Sequence, residues 1–220
     1  MNSILERVNL VCKNVRVKSN ESITFRKLIT LTRKEFRINE IDVNIKIKKD
    51  KSLEVDHFYV MGYYDPEDDL SNNTAIELII HHCFDSDNEF KPHHITEFLI
   101  QIFDAVVHEL RHQQQSRKRN YKTYSDHTHE PFSTYLADPD ELDAYSVSIA
   151  IEILRVMPVD RAKRYMTKMT LFSKMKRNGY LISPNLRAYV DYFGNNPLLK
   201  RLAKKINKHL DSLDSAQIFR

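Results

Sequence analysis

The stretch ITEFLIQIFDAVVHELRH, residues 95–112, decides the reading of this chain, because it carries a helical period and an HExxH string together. Ile95, Phe98, Leu99, Ile102, Val106 and Leu110 recur at helical spacing, and Phe103 and Val107 widen the apolar face, which predicts a buried helix. On such a helix His108 and His112 project from one face about one turn apart, so both can grip a single metal ion. Glu109 then falls beside the open coordination position. There a carboxylate can take a proton from metal-bound water, whose pKa the ion brings down to about 7. With ten histidines and thirteen glutamates in 220 residues, a random chain of this composition would hold about 0.03 such strings. The bland competitor is an ordinary core helix whose histidines happen to face solvent.

A catalytic zinc site normally has three protein ligands and keeps a fourth position for water or substrate. The third ligand is sought in YLADPDELDAY, residues 135–145, which reads as the opening of a second helix with Asp138 as N-cap and Pro139 at the first helical position. Glu141 would fall at the third helical position, where it can reach back in a capping box or point to a metal. Ala144, one residue short of a turn later, leaves room for close helix packing. Carboxylates also gather in first turns simply because they complement the helix dipole. Asp143 is the alternative ligand if this helix is rotated, since it lies two residues on and on a different face.

HELRH followed 29 residues later by Glu141 in PDELDAY resembles the gluzincin-type arrangement of zinc metallopeptidases. It is similar above all to small HExxH metallopeptidase-like proteins of bacteria and phages, which carry a P-x-E-x-[DE]-A-Y second motif. The resemblance covers residues 100–145. It implies an α+β fold with a minimal zincin-like core, in which a small antiparallel or mixed sheet packs on the HExxH helix, followed here by a helical, basic C-terminal part. It further implies Zn2+ held by His108, His112 and Glu141, Glu109 as general base, and a peptide or protein substrate. In that family an edge strand beside the metal pairs with an extended substrate, and Thr74–His82 is the candidate edge. Position 118 is Lys118, where the metzincin pattern HExxHxxGxxH would need a third histidine.

The remaining pattern gives helix, strands, then helices. Phe25, Leu28, Ile29 and Phe36 mark one helical face between Ile23 and Phe36. Ile41, Val43, Ile45 and Ile47 alternate with polar residues and predict a half-buried strand. His57–Tyr64 and Thr74–His82 are β-branched and aromatic runs separated by the turn-rich DPEDDLSNN, and predict an antiparallel pair. Helical patterns return at Val156–Met175, with Met166, Met169, Leu171 and Phe172, and at Leu198–Leu210, after a turn at residues 194–197. A single domain is expected over 1–220, with a metallopeptidase core at 1–154 and a basic helical extension of the same domain at 155–220.

Six further histidines lie near this framework: His81 and His82 at a strand end, His93 and His94 before the HExxH helix, and His127 and His129 between the motifs. Most are not expected to be ligands. His129 and Tyr145 flank the third-ligand segment and are the candidates for a donor to a developing oxyanion. Arg111 is expected to face solvent or to pair with an acid of the second helix.

Two cysteines, Cys12 and Cys83, stand far apart without metal-ligand spacing and read as packing thiols of a reduced, cytoplasmic protein. The resemblance makes that compartment the host cytoplasm, or the virion if the chain is phage-encoded. The N-terminus shows no long apolar run and no window reaches membrane-spanning length, so no leader and no membrane are expected. Charge is polarised: residues 65–109 hold eleven acids against one lysine, and residues 155–209 hold fourteen Lys or Arg against two acids. The basic C-terminal helices are therefore a possible contact for nucleic acid or another anionic partner, although lysine-rich faces are commonly mere surface. Tyr180, Tyr189, Tyr192 and Phe193 can stack on bases or pack on the core. Two alternatives to a peptidase follow: an inactive zincin-fold structural or virion-associated interaction protein, and a nucleic-acid-associated protease or binding protein.

Overall fold

The computed structural model describes residues 2–19, 22–54, 57–85, 87–122, 131–168, 182–194, 196–213 and 217–219. In chain order the elements are α1 (Asn2–Lys18), β1 (Ile23–Thr24), α2 (Phe25–Ile38), β2 (Asn44–Lys49), β3 (Phe58–Tyr64), α3 (Pro66–Leu70), β4 (Ile76–His82), β5 (Glu89–Phe90), α4 (Pro92–Lys118), α5 (Phe132–Ala137), α6 (Pro139–Val156), α7 (Val159–Lys168), α8 (Pro184–Phe193) and α9 (Leu198–Ser212). This is the expected α+β class with a helical C-terminal part. The chain forms two compact units, one of residues 1–122 with 219–220 and one of residues 123–218.

In the first unit the HExxH helix α4 runs for 27 residues, about 40 Å at 1.5 Å per residue. It begins at Pro92, so His93 and His94 lie inside its first turn rather than before it. Ile95, Phe98, Leu99, Ile102, Phe103, Val106, Val107 and Leu110 are all buried, as their spacing predicts. The helix packs on β3 and β4, and the Gln101 side chain accepts a hydrogen bond from Val60 N at 3.0 Å, tying β3 to it. Along α4 also lies α1, whose Leu5, Val8, Cys12 and Val15 form a buried stripe; the Cys12 thiol donates to Leu99 O. This helix has an apolar period that sequence reading passed over.

The main sheet has the order β2-β4-β3. The antiparallel pair is present, with Tyr59 opposite His81 and Tyr63 opposite Glu77. β4 is also paired on its other flank, in parallel, with β2, Ile45 lying opposite Leu78. The expected edge strand, Thr74–His82, is therefore the centre of the sheet, and β3 is the edge that lies against α4. The reason is that alternation fixes which face a strand buries, whereas the number of partners depends on where a distant segment docks. DPEDDLSNN folds as a short helix rather than an open turn: Asp65 caps it by accepting from Glu67 N and Asp68 N, and Pro66 takes the first position. A further two-stranded pairing joins β1 to β5.

The second unit is organised by α6. Asp138 Oδ1 accepts from Asp140 N at 2.7 Å and Glu141 N at 3.4 Å, and Pro139 opens the helix, as the sequence predicts. Leu142, Val147, Ile149, Ala150, Ile151, Ile153 and Leu154 are all buried, so α6 is apolar nearly all round and forms the unit's core. Pro158 stops it, and the next helix starts at Val159 instead of Val156. α9 lies along α6 through Leu199, Leu202, Ile206 and Leu210. Glu152 of α6 accepts from the Ser183 hydroxyl and from Asn185, while Ser183 caps α8 through Leu186 N. Met169, Leu171, Phe172 and Tyr180 lie outside the described residues, as do His127 and His129. Among the described residues no helix is long and apolar enough to cross a membrane.

Candidate metal centre

Four residues apart on α4, His108 and His112 bring their Nε2 atoms to 3.1 Å of each other, with the rings edge to face. The outer nitrogen of His112, Nδ1, lies 3.1 Å from Gln115 Oε1. An amide oxygen only accepts, so this contact favours the tautomer with the proton on Nδ1 and a lone pair at Nε2, the form in which an imidazole binds a metal. Sequence reading missed Gln115, one of three consecutive glutamines, although its i+3 spacing from His112 was visible.

Glu141 stands in the first turn of α6 with its side chain buried. The Tyr135 hydroxyl of α5 is hydrogen-bonded to Glu141 and to Tyr145; burial, then the neighbouring Tyr145 and Glu141, pushes the Tyr135 phenol well above its ordinary pKa. Tyr135 therefore stays protonated and donates, fixing the carboxylate's orientation. Tyr145 itself packs edge-on against Tyr189 at 5.5 Å, and Tyr189 donates to Leu136 O. The other carboxylate left open by the sequence, Asp143, is engaged elsewhere: Lys205 Nζ is at 2.9 Å and His209 Nε2 at 3.5 Å.

One ligand atom from each of His108, His112 and Glu141 lies within 4.8 Å of the others, and among the described residues this is the one group of three or more His, Cys, Asp or Glu side chains so converged. Two imidazole nitrogens and a carboxylate oxygen are a donor set suited to zinc and to neighbouring first-row divalent ions. The residues present thus fit a divalent cation, and the His108, His112 and Glu141 cluster is a candidate metal site.

Glu109, between the two histidines in sequence, is 7% exposed. It lies against β3 at Gly62: a Cβ built there would stand 2.5 Å from Glu109 Oε1 and 2.6 Å from its Cγ. Any larger residue at 62 displaces the carboxylate. Gly62 is one of only three glycines in the chain and sits mid-strand, a position that commonly marks a close approach, so this signal was legible. Three other histidines pack against aromatic rings. His81 stacks on Tyr59 with ring centroids 4.5 Å apart, His82 packs on Phe25, and His94 meets Phe90 edge-on. Arg111 donates to Gln114 Oε1 at 3.2 Å.

One helical turn beyond His112, α4 carries a second polar cluster. The buried Asp69 carboxylate accepts from Arg117 Nε and its terminal nitrogen (2.9 and 2.6 Å), from Gln113 Nε2 (2.9 Å), and from the hydroxyls of Tyr64 (3.1 Å) and Tyr121 (2.9 Å). Burial pushes the Asp69 carboxyl up, but the hydrogen bonds from Arg117, Tyr121 and Tyr64 outweigh it and hold the group below its ordinary pKa. This knot clamps α3 to the end of the HExxH helix.

The chain matches no protein-family model, and no curated protein or solved structure is significantly similar to it.

Proposed function

We propose that this protein is a zinc-dependent metallopeptidase of zincin type, with His108, His112 and Glu141 as ligands and Glu109 as general base. The observation that carries this reading is the convergence of the three donors, with Glu109 wedged against Gly62. A bound zinc ion would supply Lewis acidity, bringing the pKa of water to about 7 and polarising a carbonyl. Glu109 takes the proton of the attacking water and returns it to the leaving amine as the C–N bond breaks. Gln115 holds the His112 tautomer, and Tyr135 holds the Glu141 carboxylate.

The edge strand supports a peptide substrate. Val60 N points away from β4 to Gln101, so the alternation of an antiparallel ladder aims the Gly62 amide and carbonyl outward as well. An extended peptide pairing there would run past Glu109. The test is Glu109→Gln, assayed against a synthetic peptide mixture read by mass spectrometry, with bound zinc measured in parallel. The expected result is unchanged zinc and loss of cleavage. Equal cleavage by the variant removes Glu109 from the chemistry; no cleavage by either protein, with zinc bound to both, favours the alternative of a metal-holding interaction module.

A further inference from the structure

The exposed face of α2 carries a row of cationic and hydroxyl side chains to which the site on α4 gives no role. Arg26, Thr30 and Lys34 follow one another at i+4 spacing and so form a stripe along the helix, about 12 Å long at 1.5 Å per residue. A hollow lies on each side of it. One, of about 790 Å³, is lined by Lys18, Lys27 and Lys34 together with the hydroxyl residues Ser22, Thr24 and Thr30. The other, of about 670 Å³, lies between α2 and β2 and is lined by Arg33, Ile47 and Lys49. The two hollows share Arg26 and Thr30. Each has one acid on its wall, Glu89 in the first and Asp85 in the second.

The charges on this face are only partly balanced. Lys18 pairs with the buried Glu35, and Lys49 pairs with Asp85 at 2.6 Å. Arg33 donates to the backbone carbonyl of Ile45 at 2.6 Å, which fixes its position without neutralising it. Arg26, Lys27 and Lys34 have no ion-pair partner among the described residues. The C-terminal helices, which hold more basic residues in sequence, spend part of their charge inside their own unit: Lys205 on Asp143 and Lys163 on Asp211.

We propose that the α2 face binds the phosphate backbone of nucleic acid without reading sequence. Arginine, lysine and Ser/Thr hydroxyls side by side are the groups that contact phosphates and sugars in such complexes. A planar anionic membrane would meet only the ridge, whereas a sugar-phosphate strand can follow the hollows beside it. Backbone contacts alone give salt-dependent, sequence-tolerant affinity. The proposal places the contact on α2, not on the C-terminal helices, and it stands whether or not the metal site is catalytic.

The experiment is fluorescence anisotropy of the full chain with a labelled oligonucleotide, as single strand and as duplex, between about 50 and 200 mM salt. The variant Arg26→Gln/Lys27→Gln/Lys34→Gln should weaken binding at least about tenfold at low salt and flatten the log–log salt slope by about two. A control, Lys200→Gln/Arg201→Gln/Lys204→Gln on α9, should bind as the unaltered chain does. Absence of binding at low salt overturns the proposal, as does a loss confined to the α9 variant. So does capture by phosphatidylserine vesicles that depends on the α2 cations while the oligonucleotide is ignored. If the α2 variant does not fold, amine acetylation of the unaltered protein decides: the oligonucleotide should protect Lys27 and Lys34, and equal labelling with and without it overturns the proposal.

Discussion

The last turns of α4 carry two polar clusters built on opposite plans. The Asp69 knot contains its own counter-charge: a buried carboxylate meets the Arg117 guanidinium, an amide and two phenols. The histidine cluster gathers lone-pair donors, two imidazoles and the Glu141 carboxylate, with His112 steadied from behind by Gln115 and Glu141 by Tyr135. A cluster that balances itself holds the fold together, and one that collects Lewis bases is arranged to receive an electrophile. The contrast sets a structural cluster beside a candidate metal site on the same helix, about one turn apart.

The largest effect that sharpens this contrast should come from Glu109→Gln, which removes a base but no metal donor. Peptide cleavage should fall by about 10²–10⁴-fold with zinc content unchanged by elemental analysis. Gly62→Ala comes next. Its added methyl forces the Glu109 side chain off its place, and a displacement of about 1 Å costs about a hundredfold in turnover, again with zinc retained.

On the structural side, Arg117→Ala leaves the Asp69 carboxylate buried without its guanidinium. Because the Arg117 side chain is itself 57% exposed, the loss should be about 2 kcal/mol in denaturant unfolding, below the full penalty for breaking a buried pair. The linked pH effect has a definite sign. Asp69 has a depressed folded pKa, so its stabilisation is complete above the unfolded value near 3.9 and is lost as pH falls through the lower folded value. Asp69→Asn should therefore flatten the acid limb of the stability profile below about pH 4, without altering zinc affinity. The smallest effect is expected from Gln115→Ala, which frees the His112 tautomer and should weaken zinc binding about tenfold.

Much of the candidate metal cluster was legible in the chain. The period at 95–110 gave α4, the i, i+4 histidines gave the paired donors, and Asp138-Pro139 gave the start of α6 and so the place of Glu141. What escaped depends on contacts between distant segments. Asp143 was separated from Glu141 only by Lys205 and His209, 62 and 66 residues further on. The central position of β4 follows from the docking of β2, which no local alternation encodes. The knot ties Asp69 to Gln113, Arg117 and Tyr121, 44 to 52 positions away. Asp69 itself read only as one more acid in a turn. Gly62 and the α1 stripe were different: their signals were local and were passed over.

The central claim is that His108, His112 and Glu141 together hold one divalent ion, and calorimetric titration of zinc into the metal-free protein tests it most directly. The account predicts one ion per chain for the unaltered protein and, for a folded His108→Ala variant, affinity lower by at least about a hundredfold. No zinc uptake by the unaltered protein, or equal affinity in the two, would contradict it.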